Sequence, residues 1–211
     1  MTQKDILEEH CFYCFDVLLA HLENKMLPKA TFDDSSYPLF VTWHSKWHGQ
    51  RELRGCIGNF NPMHLRKGLQ QYALTSALQD RRFTPIGLPE VPFLDCAVSL
   101  LTHFEKAADY LDWEIGIHGI WIEFSLRDDD DDDDAGNIKF TKAMTTATYL
   151  PEVMAEQGWT KEEAIDSLLR KGGYRRHITE AKRQSIVLTR YQSQKITRTY
   201  ADYRTHYALD A

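Results

Sequence analysis

Residues 39–60 read Leu39-Phe40-Val41-Thr42-Trp43, then a polar stretch from His44 to Arg51, then Glu52-Leu53-Arg54-Gly55-Cys56-Ile57-Gly58-Asn59-Phe60. Two apolar runs joined by a polar turn predict a hairpin with a long loop. Along the second run, side chains should alternate between faces. Leu53, Gly55 and Ile57 would point one way, which suits a core. Arg54, Cys56 and Gly58 would point the other, setting a guanidinium beside a thiol. A nearby cation favours thiolate over thiol, and Gly55 and Gly58 would let a ligand approach the backbone closely. Two readings follow from these residues alone. One is an anion- or electrophile-binding site with Cys56 as nucleophile or redox-active thiol. The other is a tight buried strand with glycines at a bulge and an inert cysteine.

Working outward, residues 4–24 predict an amphipathic helix, with Ile6, Leu7, Cys11, Cys14, Phe15, Leu18, Leu19 and Leu22 at three- and four-residue intervals. Asn61-Pro62 predicts the start of a second helix, carrying Leu65, Leu69, Tyr72, Ala73, Ser76 and Ala77 on one face. Residues 80–92 read as loop, and strands are expected at 93–101, 115–124 and 138–140. Leu150-Pro151-Glu152 opens a short helix that Gly158 ends. Thr160-Lys161-Glu162-Glu163 has the pattern of a capping box, opening a helix that stops at Gly172-Gly173. Residues 185–200 alternate as one or two strands. Hairpins outnumber βαβ units, so the expected class is α+β with a mainly antiparallel sheet and flanking helices.

The net charge of −6 is concentrated in one place: Asp128 to Asp134 is an unbroken run of seven aspartates, and without it the chain is close to neutral. Global charge therefore gives no argument for nucleic acid or membrane partners. The run itself reads as a disordered, solvated loop at 127–136. The N-terminus lacks the apolar run of a signal peptide, and no stretch approaches a membrane span. An intracellular protein with reduced thiols is the simplest expectation, in cytoplasm and with nuclear entry open.

Other candidates compete with structural roles. Cys11 and Cys14 have zinc-like spacing but lie on the expected helix face without a second pair, which favours core packing. His118, between Gly116 and Gly119 with Ile117, could serve Cys56 as a base or be a hydrogen-bonded structural histidine. Asp80 and Arg82 could brace a loop as an ion pair, or Arg82 could join Arg54 as an anion clamp. His44 and His48 fall in the expected turn, which argues against a metal pair. The tryptophans, Trp47 among them, read as packing residues.

The hexapeptide Leu53–Gly58 is the signature of the AMMECR family (AMME chromosomal region candidate proteins), and the chain resembles that family from about residue 5 to 205. Asp80-Arg81-Arg82-Phe83, Ser99 to Thr102, Gly116 to Ile120, Tyr149 to Val153 and Glu156 to Trp159 match later family blocks. Asn59 departs from the pattern, standing where a threonine is usual. The resemblance implies one AMMECR-type domain over residues 1–211, of two lobes with the hexapeptide near the groove between them. It implies neither a settled reaction nor a cofactor. Combined with the residues, it points to a small-molecule site using Cys56 and Arg54 as acting groups, with Gly55, Gly58, Asp80, Arg82 and His118 as ligand-binding residues and no metal. The alternative is a non-catalytic interaction or regulatory protein with protein partners. Nucleic-acid binding through Arg81, Arg82, Arg175 and Arg176 ranks last.

Overall fold

In a computed structural model of the chain, residues 5–127 and 144–209 are described. Six strands form an antiparallel sheet: β1 (Ser36–Ser45), β2 (Glu52–His64), β3 (Leu94–Lys106), β4 (Gly119–Ser125), β5 (Met144–Tyr149) and β6 (Val187–Thr199), in the order β2-β1-β3-β6-β4-β5. The helices are α1 (Glu8–Leu22), α2 (Leu65–Leu78), α3 (Pro151–Gln157), α4 (Lys161–Lys171), α5 (Glu180–Gln184) and α6 (Tyr200–Leu209). A short 3₁₀ helix spans Leu88–Phe93. The class is α+β, as expected. The chain divides into two compact units, one drawn from residues up to Thr102 together with those from Gln194, the other from His103–Ser193. The aspartate run and the strand expected at 138–140 lie outside the described residues.

In the first unit, Leu39, Val41 and Trp43 of β1 and Cys96, Val98 and Leu100 of β3 are fully buried with Cys11, Cys14, Phe15 and Leu18 of α1. Trp43 alone, wholly withdrawn from water, contributes about 4–6 kcal/mol by area. Helix α1 differs from the amphipathic expectation: residues His10 to Leu18 are all buried. Part of the reason is α6, a helix that the strand pattern of residues 185–200 does not announce. Its Tyr203 and Tyr207 hydroxyls donate to the Asp16 carboxylate of α1 at 2.9 and 2.8 Å. Aromatic side chains of the two helices also meet, Phe12 with His206 and Phe15 with Tyr203.

The N-terminus of α1 is held by His10. Its backbone N–H donates to the Leu7 carbonyl and its Nδ1 accepts the Leu7 N–H, so the cap needs a neutral ring. Burial holds the His10 pKa down at about 4, which keeps the ring neutral.

Two expected boundaries shift. Asn61-Pro62 does not open a helix: β2 continues to His64 and α2 starts at Leu65. A proline is tolerated on an edge strand because its missing N–H leaves no ladder partner unmatched, and the β1–β2 register slips between Tyr37 and Leu39, opposite that stretch. Residues 114–118 are a turn, with Gly116 at φ +81°, and β4 begins only at Gly119.

The second unit buries Ile120, Ile122 and Phe124 of β4 with Ile165, Leu168 and Leu169 of α4 and Trp113. The capping box of α4 is present: Thr160 Oγ1 accepts the Glu163 N–H at 3.2 Å and Glu163 Oε2 accepts the Thr160 N–H at 2.8 Å.

Candidate functional site

Strand β2 is the sheet edge, paired only with β1 in the strand order. Thr42 faces Cys56 and Trp43 faces Gly55, but the next step pairs His44 with Leu53. Arg54 is the extra residue of a β-bulge. A bulge re-aims its side chain and ends strict alternation, so Arg54 and Cys56 do not stand as successive members of one face.

The glycines of the hexapeptide are set by packing. A Cβ at Gly55 would overlap the carbonyl oxygen of Ser76, so the strand lies directly on α2. A Cβ at Gly58 would overlap the Leu39 carbonyl and the Phe40 ring. Ile57 packs against the core of the first unit. The close approach permitted by both glycines is thus taken up by the protein's own backbone and side chains.

At Cys56 the outward backbone groups of the edge strand are met by two side chains from the loop after α2. Asp80 Oδ2 accepts the Cys56 N–H at 3.0 Å, and Arg82 Nη2 donates to the Cys56 carbonyl at 3.3 Å. The two side chains grip each other through Arg82 Nη2 to Asp80 Oδ2 (2.7 Å) and Arg82 Nε to Asp80 Oδ1 (3.0 Å). Donor and acceptor are presented together, as a neighbouring strand would present them. The edge is thereby closed at this residue, a device that blunts unwanted strand pairing. Asp80 is 6% exposed. The Arg82 hydrogen bonds hold its carboxyl well below the usual range against the cost of burial, helped by the Cys56 and Arg82 backbone N–H groups.

The Cys56 thiol is half-buried, whereas Cys11, Cys14 and Cys96 are fully buried. Its sulfur accepts a hydrogen bond from Thr42 Oγ1 at 3.2 Å. The guanidinium that bonds the Cys56 backbone is that of Arg82, whereas the Arg54 guanidinium, which strict alternation predicts beside the thiol, is bonded to Glu90 and Thr84. Cys96 pairs across from Trp43 while Cys56 pairs with Thr42, so alternation puts the two thiols on opposite sheet faces. Burial pushes the Cys96 and Cys14 thiols up.

Arg54 is committed elsewhere. Its Nε and Nη2 donate to Glu90 Oε1 and Oε2 at 2.7 and 3.1 Å, and Nη2 also donates to the Thr84 carbonyl at 3.0 Å. Both partners of this fork are 15% exposed. Burial works against the Glu90 charge, but the Arg54 and Ser45 hydrogen bonds prevail and hold its carboxyl below the usual range. The pair borders a cavity of about 350 Å³ lined by Ser45, Trp47, His48, Glu52, Leu53, Arg54, Phe83, Thr84 and Glu90. That volume lies within the range of small-ligand sites.

Of the expected site residues, the first unit brings together Arg54, Gly55, Cys56, Gly58, Asp80 and Arg82. His118 belongs to the second unit. There its Nδ1 accepts the Glu114 N–H at 3.0 Å and its backbone N–H donates to the Glu114 carbonyl, which closes the turn before β4. Glu90, Thr84, Phe83, Ser45 and His48 also line the cavity and carry no ligand-site motif in the sequence. Glu90 gives the one readable signal: a charge set between Pro89 and the apolar Val91 in a stretch otherwise poor in charge. A wider hollow of about 500 Å³ in the second unit runs beside Glu180, whose carboxylate already takes hydrogen bonds from Tyr110 and Gln184.

The fold and site define an α+β protein with a pinned edge strand that carries a half-buried thiol and borders a polar–aromatic cavity. Comparison with known proteins gives this class a family. The AMMECR1 family model matches residues 11–196, and the chain belongs to that family. It is 49% identical over 199 residues to an uncharacterized protein of Arabidopsis thaliana, covering 94% of this chain and 87% of that one. An uncharacterized protein of Schizosaccharomyces pombe is 39% identical over 199 residues, covering 93% and 94%. The crystal structure of an uncharacterized protein from Pyrococcus horikoshii superposes with a TM-score of 0.64 at 20% identity, over 90% of this chain and 92% of that one, a likeness of fold.

Proposed function

We propose that this AMMECR1-family protein binds a small molecule in the cavity beside the Arg54–Glu90 pair, at the hexapeptide strand. The observation that carries the reading is the cavity itself. It is of ligand size, and aromatic walls meet a fixed, fully paired guanidinium–carboxylate fork in it. Such a fork costs a ligand little reorganisation, because both side chains are already ordered. Cys56 lies two residues along the same strand, outside the residues that line the cavity, so a role for its half-buried thiol is a separate proposal from ligand binding. A thermal-shift screen of metabolites on wild type and Arg54→Ala tests the binding reading. A compound whose effect on the melting temperature differs between wild type and Arg54→Ala supports it. Hits that shift both proteins equally, or no hits, count against it.

A second reading, a non-catalytic interaction protein, draws on Trp47, Leu88 and Phe93, which are 45%, 44% and 45% exposed. Trp47 and Phe93 pack edge to face at 4.9 Å. Partner recovery that falls with Trp47→Ala while the metabolite screen stays silent would favour it.

A further inference from the structure

The walls of the cavity define the charge class of molecule that fits it, an inference that rests on the small-molecule reading above. Arg54 has its fork on Glu90 and a further bond on Thr84, so this cation is already neutralised. Glu52 stands exposed among the lining residues, and its carboxylate has no hydrogen-bonded partner among the described residues. Its charge is felt at Arg54. The lining therefore presents two carboxylates, Glu52 and Glu90, with one guanidinium and the His48 imidazole.

The uncharged part of the wall is aromatic. Trp47 is nearly half exposed, and Phe83 already holds a cation, with Arg82 Cζ 5.2 Å from its ring centroid. Aromatic faces attract ammonium and guanidinium groups through the ring quadrupole. An incoming anion would instead meet Glu52 and Glu90 and find Arg54 taken. We propose that the cavity takes a small organic cation, an ammonium or guanidinium group on a short apolar body, with the charge toward Glu52 and the body against Trp47 and Phe83.

Isothermal titration of the full chain with butylguanidinium, glutarate and N-butylacetamide tests this, using wild type, Glu52→Gln and Trp47→Ala. Both substituted side chains are exposed, and circular dichroism verifies the fold of each variant. The expected result is butylguanidinium binding that weakens about tenfold in each variant and also weakens with added salt, because screening reduces the attraction of Glu52. Absence of butylguanidinium binding, or binding equal in wild type and both variants, overturns the inference. If glutarate or N-butylacetamide binds in place of butylguanidinium, the cation class fails and the small-molecule reading stands. If no probe binds and the metabolite screen is also silent, both fail.

Discussion

Arg54 and Cys56 are two residues apart on one strand, yet they serve different surroundings. Around Cys56, every polar contact is local and closed. Asp80 and Arg82 satisfy its backbone, Thr42 bonds its sulfur, and Gly55 and Gly58 let the strand lie against α2 and Phe40. Around Arg54, the guanidinium reaches from a bulge to Glu90 and Thr84 and borders empty volume. The first region is built like a joint and the second like a site. The difference teaches that a motif rich in glycine, arginine and cysteine can owe most of its composition to architecture, with its chemistry at one end.

The largest effect that would break this comparison is at Asp80. Asp80→Ala leaves the Cys56 N–H and the Arg82 guanidinium without their partner, and a destabilisation of about 3 kcal/mol is expected in denaturant unfolding. A loss below about 1 kcal/mol would mean that the edge is not held there. Next comes Gly55→Ala, whose methyl group must displace the Ser76 carbonyl of α2. A loss of about 2 kcal/mol is expected, and an unchanged midpoint would contradict the close packing.

The pH dependence sharpens the same contrast. The Asp80 carboxyl is held below its unfolded pKa of about 4, so the unfolded chain binds the proton first. The stability contributed by Asp80 is therefore complete above about pH 4 and declines as pH falls toward the lower folded-state value. Asp80→Asn should flatten the stability curve in that acid window. A curve with the wild-type slope would assign the acid sensitivity to other groups. The smallest effect is expected for Thr42→Val, which removes one hydroxyl–sulfur hydrogen bond and should cost about 0.5 kcal/mol.

Part of this was legible in the sequence. The hairpin of β1 and β2 follows from its apolar runs and polar turn, and the capping box of α4 follows from Thr160 and Glu163. The spacing of Asp80 and Arg82 suits an ion pair that braces the loop, which is the geometry observed. The bulge at Arg54 was not legible, because it depends on which residue of β1 faces which residue of β2. Pro62 misled for a related reason: its tolerance in β2 follows from the edge position, a property of the whole sheet. Helix α6 was hidden because its packing face is made of tyrosines whose partner, Asp16, is 187 residues away from Tyr203 in the chain. The cavity has no signature in the sequence because Glu90 and Thr84 come from a stretch with no periodicity of its own.

The central claim is that Arg82, and not Arg54, is the guanidinium that governs the surroundings of Cys56. The most direct measurement is the rate of iodoacetamide alkylation of Cys56 at one fixed pH in wild type, Arg82→Gln and Arg54→Gln, with the site of modification identified by mass spectrometry. The account predicts alkylation several-fold faster in Arg82→Gln, whose edge strand has lost its clamp on the Cys56 carbonyl, and within about twofold of wild type in Arg54→Gln. A larger change in Arg54→Gln than in Arg82→Gln would contradict it.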